Sequence, residues 1–118
     1  MPQGTRIERV GEEFREVLAE EIQRLKDPRV GFVTVTGVKV SPDLKRAWVY
    51  YTAMGNEKER AGTRAGLRSA TPHLRSALGH QVRLKFLPEL EFEEDASLEA
   101  DTRLEELLRE LHRGTSDE

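Results

Sequence analysis

Residues 32–52 read FVTVTGVKVSPDLKRAWVYYT, two runs rich in β-branched and aromatic side chains on either side of a short polar segment. Their alternation predicts two β-strands, Phe32–Val40 and Arg46–Thr52. The tetrapeptide Ser41-Pro42-Asp43-Leu44 has proline where a type I turn needs a fixed φ, so the strands are expected to pair antiparallel. Gly37 lies where a β-bulge would bring the valines of the first strand into register.

The second strand has two faces of different chemistry. Ala47, Val49 and Tyr51 lie on one side, and Trp48 and Tyr50 lie on the other. We expect the first side to be core and the second to be a candidate surface.

Helical patterns flank this hairpin. Apolar residues recur every three or four positions from Thr5 to Lys26 and predict an amphipathic helix that ends at Asp27-Pro28. Asn56 is expected to cap a second helix. Because Pro72 removes a helical hydrogen bond, we predict a kink at Ser69-Ala70-Thr71 and a short helix over Pro72–Leu78, closed by Gly79.

The remaining elements complete an α+β pattern. Val82–Leu87 alternates and predicts a third strand that stops at Pro88. Leucines between positions 98 and 111 predict a C-terminal helix. The predicted order is helix, strand, strand, helix, kink, helix, strand, helix, with a three-stranded sheet. Residues 1–113 are expected to form a single domain and residues 114–118 a flexible tail.

Composition narrows the class of protein. The 118 residues contain no cysteine, which excludes disulfides, thiolate metal sites and a cysteine nucleophile. There is no apolar run near the length of a membrane span. The expectation is one soluble, cytoplasmic domain with no cofactor, no metal and no membrane contact.

Charge is distributed unevenly along the chain. Residues 60–88 contain no aspartate or glutamate and carry six cations, whereas residues 89–118 carry twelve acids and three arginines. Because a polyanion responds to a local patch more than to net charge, the acid-free stretch indicates a partner rich in phosphate.

Five blocks of sequence, in order, resemble the ribosome-binding factor A family of bacterial ribosome assembly factors. The resemblance runs from about Arg6 to Leu111. The blocks are Leu25-Lys26-Asp27-Pro28-Arg29, Val33-Thr34-Val35-Thr36-Gly37-Val38, Ser41-Pro42-Asp43-Leu44, Ala47-Trp48-Val49-Tyr50, and Leu87-Pro88-Glu89-Leu90-Glu91-Phe92 with Asp95 and Ser97.

The resemblance implies a type II KH-like domain that binds the free small (30S) ribosomal subunit through 16S rRNA. It also implies non-catalytic help in late maturation and rRNA 5′-end processing, a role in cold adaptation, a monomer, and ribosomal proteins or an assembly GTPase as further partners. The family has an interrupted Ala-x-Gly kink, which Ala70-Thr71-Pro72 matches here with proline in place of glycine.

Twelve positions are candidate RNA contacts, most of them cations. Arg60, Arg64 and Arg68 form a stripe on one helix face, for which the alternative is a solvated face paired with Glu57 or Glu59. The full set is Lys45, Arg46, Arg60, Arg64, Arg68, Ser69, Ala70, Thr71, His73, Arg75, Arg83 and Lys85.

Two further assignments in this set also have alternatives. Arg83 and Lys85 are expected to point off the core side of the third strand beside Trp48 and Tyr50, unless the C-terminal helix covers Trp48. The hydroxyls at the kink either donate to phosphate or cap the broken helix.

Two other functions compete with RNA binding. One is a charge-driven protein-interaction module without direct RNA contact. The other is a small hydrolase, which is disfavoured because no base–nucleophile pair or ligand set is visible.

Overall fold

Two helices and three strands alternate along residues 6–95, the part of the chain that the computed structural model describes. The α+β class and the order of these elements are confirmed. The predicted C-terminal helix and tail lie outside the described residues. In chain order the elements are α1 (Arg6–Gln23), β1 (Val33–Val40), β2 (Arg46–Ala53), α2 (Glu57–Gln81) and β3 (Glu89–Glu94).

The β1–β2 hairpin forms as predicted. The strands are antiparallel, and their register shifts between Val35 and Gly37, which is the predicted bulge. The extra residue brings both Val35 and Val40 into the core. The turn closes with a 2.8 Å hydrogen bond from the Leu44 amide to the Ser41 carbonyl.

Helix α1 packs its apolar face on β1. Phe14, Leu18 and Ile22 are buried. Gly11 permits the close approach, because a Cβ there would lie 2.7 Å from the Val38 carbonyl oxygen. The helix ends at Gln23, three residues before the predicted end.

Helix α2 is continuous, so the predicted kink and second helix are wrong. Asn56 forms the predicted N-cap within a capping box. The helix then runs through Pro72 and past Gly79 to Gln81. Its side chains explain the continuity: Leu67, Leu74 and Leu78 are all fully buried on both sides of the proline. Tertiary packing therefore offsets the hydrogen bond that proline removes.

Strand β3 lies seven residues later than the predicted third strand. It pairs parallel with β2, from Arg46 beside Glu89 to Tyr51 beside Glu94. A parallel strand must begin at the same end of the sheet as β2, so the chain uses residues 82–88 as the connection from α2. The alternation in Val82–Leu87 is thus a loop pattern and not a strand.

Both described helices pack on the sheet face that carries Ala47, Val49 and Tyr51, which are buried. Trp48 and Tyr50 lie half-buried on the other face, as predicted. Neither described helix combines the length and apolarity of a membrane span.

Candidate nucleic-acid interface

The loop of residues 82–88 is fixed to α2 by its last two residues. Pro88 is fully buried, and Leu87 lies over Gly79. Arg75 donates from Nε to the Pro88 carbonyl (2.7 Å) and from its terminal nitrogen to the Leu87 carbonyl (3.2 Å). The main structural role of Arg75 is therefore to hold the loop against α2. Its guanidinium keeps its positive charge while it makes these two hydrogen bonds.

Phe86 projects from this fixed loop and is 53% exposed. The ammonium nitrogens of Lys45 and Lys85 lie 5.3 and 5.8 Å from the centre of its ring, within cation–π range. Neither lysine forms a salt bridge within the described part of the chain. We call Lys45, Lys85 and Phe86 the Phe86 cluster.

The hairpin positions the Lys45 side of this cluster. The Glu89 amide donates to the Lys45 carbonyl (2.8 Å), so the start of β3 holds the turn beside the loop. Asp43 accepts hydrogen bonds from the Ser41 hydroxyl (2.7 Å) and the Lys45 amide (3.0 Å). These two donors, the hydroxyl first, lower the pKa of the Asp43 carboxyl.

The predicted arginine stripe on α2 is divided by its partners. Arg60 and Arg64 both pair with Glu57 and with Glu94 of β3, at nitrogen–oxygen distances of 2.9 to 3.0 Å. Arg64 and then Arg60 lower the pKa of Glu57. Pairing with Glu57, which the sequence offered as the alternative, is present. The third member, Arg68, is exposed and makes no hydrogen bond or salt bridge to any residue in 6–95.

Arg46 is also partly neutralised. It forms a salt bridge with Glu91, and its guanidinium lies 5.6 Å from the centre of the Trp48 ring. The register places Glu91 beside Trp48 and Glu93 beside Tyr50. Within residues 6–95 the sheet face of Trp48 therefore combines aromatic side chains with carboxylates, and it does not carry Arg83 and Lys85, which were expected there.

Arg83 and Lys85 were expected on that face because Val82–Leu87 read as a strand. They lie instead on the loop, exposed, at the end of the sheet where β2 and β3 begin. Arg83 has no hydrogen bond or salt bridge to another described residue.

The small residues around Pro72 serve local structure. The Thr71 hydroxyl donates to the Leu67 carbonyl (3.0 Å), and Ser69 accepts from Arg29 (3.2 Å). Ala70 packs against the core, and His73 Nε2 lies 3.4 Å from Glu21 Oε1. Because α2 is unbroken, the two hydroxyls do not lie at a helix N-terminus.

Sequence reasoning missed three exposed apolar side chains. It assigned Phe86 to the core side of a strand, and it did not single out Phe32 or Met54, which are 80% and 72% exposed. Phe32 and Met54 border an open cleft of about 800 Å³ at the opposite end of the sheet, where Lys58 is also exposed. The sequence held no signal for the exposure of Phe86, because the alternation of residues 82–87 placed Phe86 on the same side as Leu84.

Metal ligation finds no support in the described residues: residues 6–95 contain no group of three or more histidine, aspartate or glutamate side chains placed to share an ion.

The two helices and the mixed three-stranded sheet define a KH-like α+β domain. The family model described as Ribosome-binding factor A matches residues 6–108. A ribosome-binding factor A of Geobacter sulfurreducens is 48% identical over 107 residues, covering 90% of this chain and 91% of the relative. The chain belongs to the ribosome-binding factor A family.

Solved structures agree with this assignment. The crystal structure of ribosome-binding factor A from Thermus thermophilus matches with a TM-score of 0.68 at 36% identity, covering 75% of this chain and 93% of that one. A Thermus thermophilus homology model fitted into the cryo-EM map of a complex with the 30S subunit matches with a TM-score of 0.59 at 40% identity, covering 70% and 88%.

Proposed function

We propose that this protein is a cytoplasmic, monomeric and non-catalytic assembly factor that binds the free 30S subunit through 16S rRNA. Its role is to assist late maturation, including processing of the rRNA 5′ end. The observation that carries the proposal is that four of the twelve predicted contacts are exposed cations without salt bridges among residues 6–95: Lys45, Arg68, Arg83 and Lys85. The relative fitted into a 30S complex supports the choice of subunit.

These four cations rank first because a side chain without a carboxylate partner gives up no ion pair when it meets a phosphate. Arg46, Arg60 and Arg64 would first exchange a glutamate for the phosphate. Each phosphate that is neutralised releases counterion, so the affinity should fall steeply with salt. The remaining candidates, Ser69, Ala70, Thr71, His73 and Arg75, stay proposals of lower rank.

The test is co-sedimentation with free small subunits and with full ribosomes at two salt concentrations. The double variant Arg83→Glu/Lys85→Glu should bind free subunits at least about tenfold more weakly, with a salt slope shallower by about 1.5 to 2. The matched control is Lys26→Glu/Lys58→Glu, which makes the same charge change with two exposed lysines outside the acid-free stretch. Equal loss in both variants, or no loss in the first, would remove the loop cations from the mechanism.

A second candidate is a protein-interaction module without RNA contact, which the exposed Phe32 and Met54 favour because paired apolar side chains at a cleft suit a protein partner. Pull-down after nuclease digestion separates the two functions. Retention of partners without RNA supports the second, and their loss supports the first.

A further inference from the structure

We propose that the Phe86 cluster is a binding site for one unpaired nucleotide of single-stranded RNA. The base would stack on the Phe86 ring, and the ammonium groups of Lys45 and Lys85 would hold the flanking phosphates. This inference rests on the proposed function and assigns it a specific site.

Phe86 is exposed because of the way the 82–88 loop packs on the core. Val82 and Pro88 are buried and Leu84 packs against the core, so the loop already fills the space beneath it. Phe86 is the large aromatic that the loop leaves outside. An exposed phenyl ring offers a flat apolar face on which any base can stack.

The presence of cations distinguishes Phe86 from the other highly exposed phenyl ring. Phe32 is more exposed, at 80%, yet no cation within residues 6–95 lies over its ring. Two ammonium groups lie within 6 Å of the Phe86 ring centre. A nucleotide combines a flat base with an adjoining phosphate anion. The Phe86 cluster offers the complementary groups, which are a flat ring for the base and two ammonium groups for the phosphates.

The backbone that carries the cluster is held in place. Arg75 holds the carbonyls of Leu87 and Pro88 on one side, and the bond from the Glu89 amide to the Lys45 carbonyl holds the other. A site built on a fixed backbone loses less conformational entropy when it binds.

The chemistry favours single strands and tolerates any sequence. Bases inside a duplex are stacked on each other and cannot reach a phenyl ring, whereas unpaired bases can. Lysine ammoniums act as point charges without the paired geometry that reads a base edge. The nearest carboxylate on the hairpin, Asp43, accepts from Ser41 and the Lys45 amide and is directed into the turn.

The experiment compares a single-stranded oligouridylate with an abasic oligomer of equal length and charge. The wild-type protein should prefer the base-bearing oligomer by roughly tenfold, as one stacked base would give. Phe86→Leu, which keeps an apolar side chain and removes the ring, should lose this preference with an unchanged salt slope. Phe32→Leu is the matched control and should keep it.

The lysines give the complementary result. Lys45→Gln/Lys85→Gln should retain the base preference and bind both oligomers more weakly, with a salt slope shallower by about 1.4 for two single-strand phosphates. Thermal denaturation establishes that each variant is folded.

Three outcomes would overturn the inference: no base preference in the wild-type protein, an equal preference in Phe86→Leu, or equal competition by polyglutamate, which would assign the site to an acidic polypeptide. Any of these, with subunit binding still lost in Arg83→Glu/Lys85→Glu, leaves the proposed function standing. Failure of the wild-type protein to bind subunits would overturn the function itself.

Discussion

Gly11 allows α1 to lie directly on the β1 backbone. In Gly11→Ala the new Cβ would meet the Val38 carbonyl oxygen at 2.7 Å, and a backbone carbonyl cannot move aside cheaply. We expect the free energy of unfolding to fall by about 1–3 kcal/mol, measured by urea denaturation.

Gly79→Ala is the matched comparison within α2. There the new Cβ would meet Leu87 Cδ2 at 2.5 Å, the end of a flexible and exposed side chain. Relief by rotation of Leu87, together with the better helix propensity of alanine, should leave stability within about 1 kcal/mol of the wild-type protein. An equal loss of stability in both variants would show that helix propensity and the space around the new Cβ do not account for the effects of these two substitutions.

Asp43 links stability to pH through the hairpin turn. Its hydrogen bonds lower the pKa of the folded carboxyl below the ordinary value near 4. The stabilisation is therefore present above that value and is lost as the pH falls through the lower folded pKa. Asp43→Ala should be less stable than the wild-type protein at pH 7, and the difference should shrink toward pH 3. A difference that is the same at both pH values would contradict this role.

Among single residues, the sequence best predicted those features that depend only on neighbours close by in the chain. The Asn56 cap, the Gly37 bulge and the Ser41–Leu44 turn each follow from backbone chemistry within a few residues. The partners of Arg60 and Arg64 could not be assigned in full, because Glu94 reaches them only through the parallel β2–β3 pairing.

At the scale of elements, Pro72 is the feature of α2 that local rules misjudge. Pro72→Ala restores the amide that can donate to the Arg68 carbonyl and removes the ring from an exposed position. The free energy of unfolding should rise by roughly 1–3 kcal/mol because alanine suits the helix better than proline does. Alanine also gives the unfolded chain more conformational freedom than proline does, and this reduces the gain. Denaturant midpoints measure the change.

Ser76→Ala, at another exposed position one turn later, serves as the control and should change stability by only a few tenths of a kcal/mol. A loss of stability in Pro72→Ala would mean that the proline ring itself stabilises α2.

The third strand shows how topology overrides pattern. Val82–Leu87 and Glu89–Glu94 both alternate, and the second run carries glutamates at positions 89, 91 and 93. Parallel pairing with β2 selects the second run, because β3 must begin beside Arg46 after the chain has left α2. Long-range pairing of this kind is not encoded in any short window.

At the scale of the whole molecule, the predicted RNA contacts and the acidic residues of β3 lie on different parts of the described surface. The exposed cations Lys45, Arg68, Arg83 and Lys85 lie at the hairpin, on α2 and on the 82–88 loop, while β3 places Glu89, Glu91 and Glu93 on the sheet face of Trp48, where Lys39 and Arg46 also lie. Phosphate should therefore approach from the loop end and be repelled by the sheet face.

Glu89→Gln/Glu93→Gln tests this orientation, because both carboxylates are exposed and neither forms a salt bridge within residues 6–95. Non-specific RNA should bind the variant a few-fold more tightly at about 50 mM salt, since the repelling face is weakened. The gain should fade at about 300 mM as screening shortens the range of the repulsion.

Affinity for free small subunits should rise less than affinity for non-specific RNA, so the ratio between the two should fall. Glu13→Gln/Glu16→Gln makes the same charge change on exposed positions of α1 and should leave that ratio unchanged. If the α1 variant gains as much non-specific affinity as the β3 variant, net charge alone accounts for the effect and the acidic sheet face does not orient the RNA. Titrations of both variants against the two RNAs at the two salt concentrations measure the ratio directly.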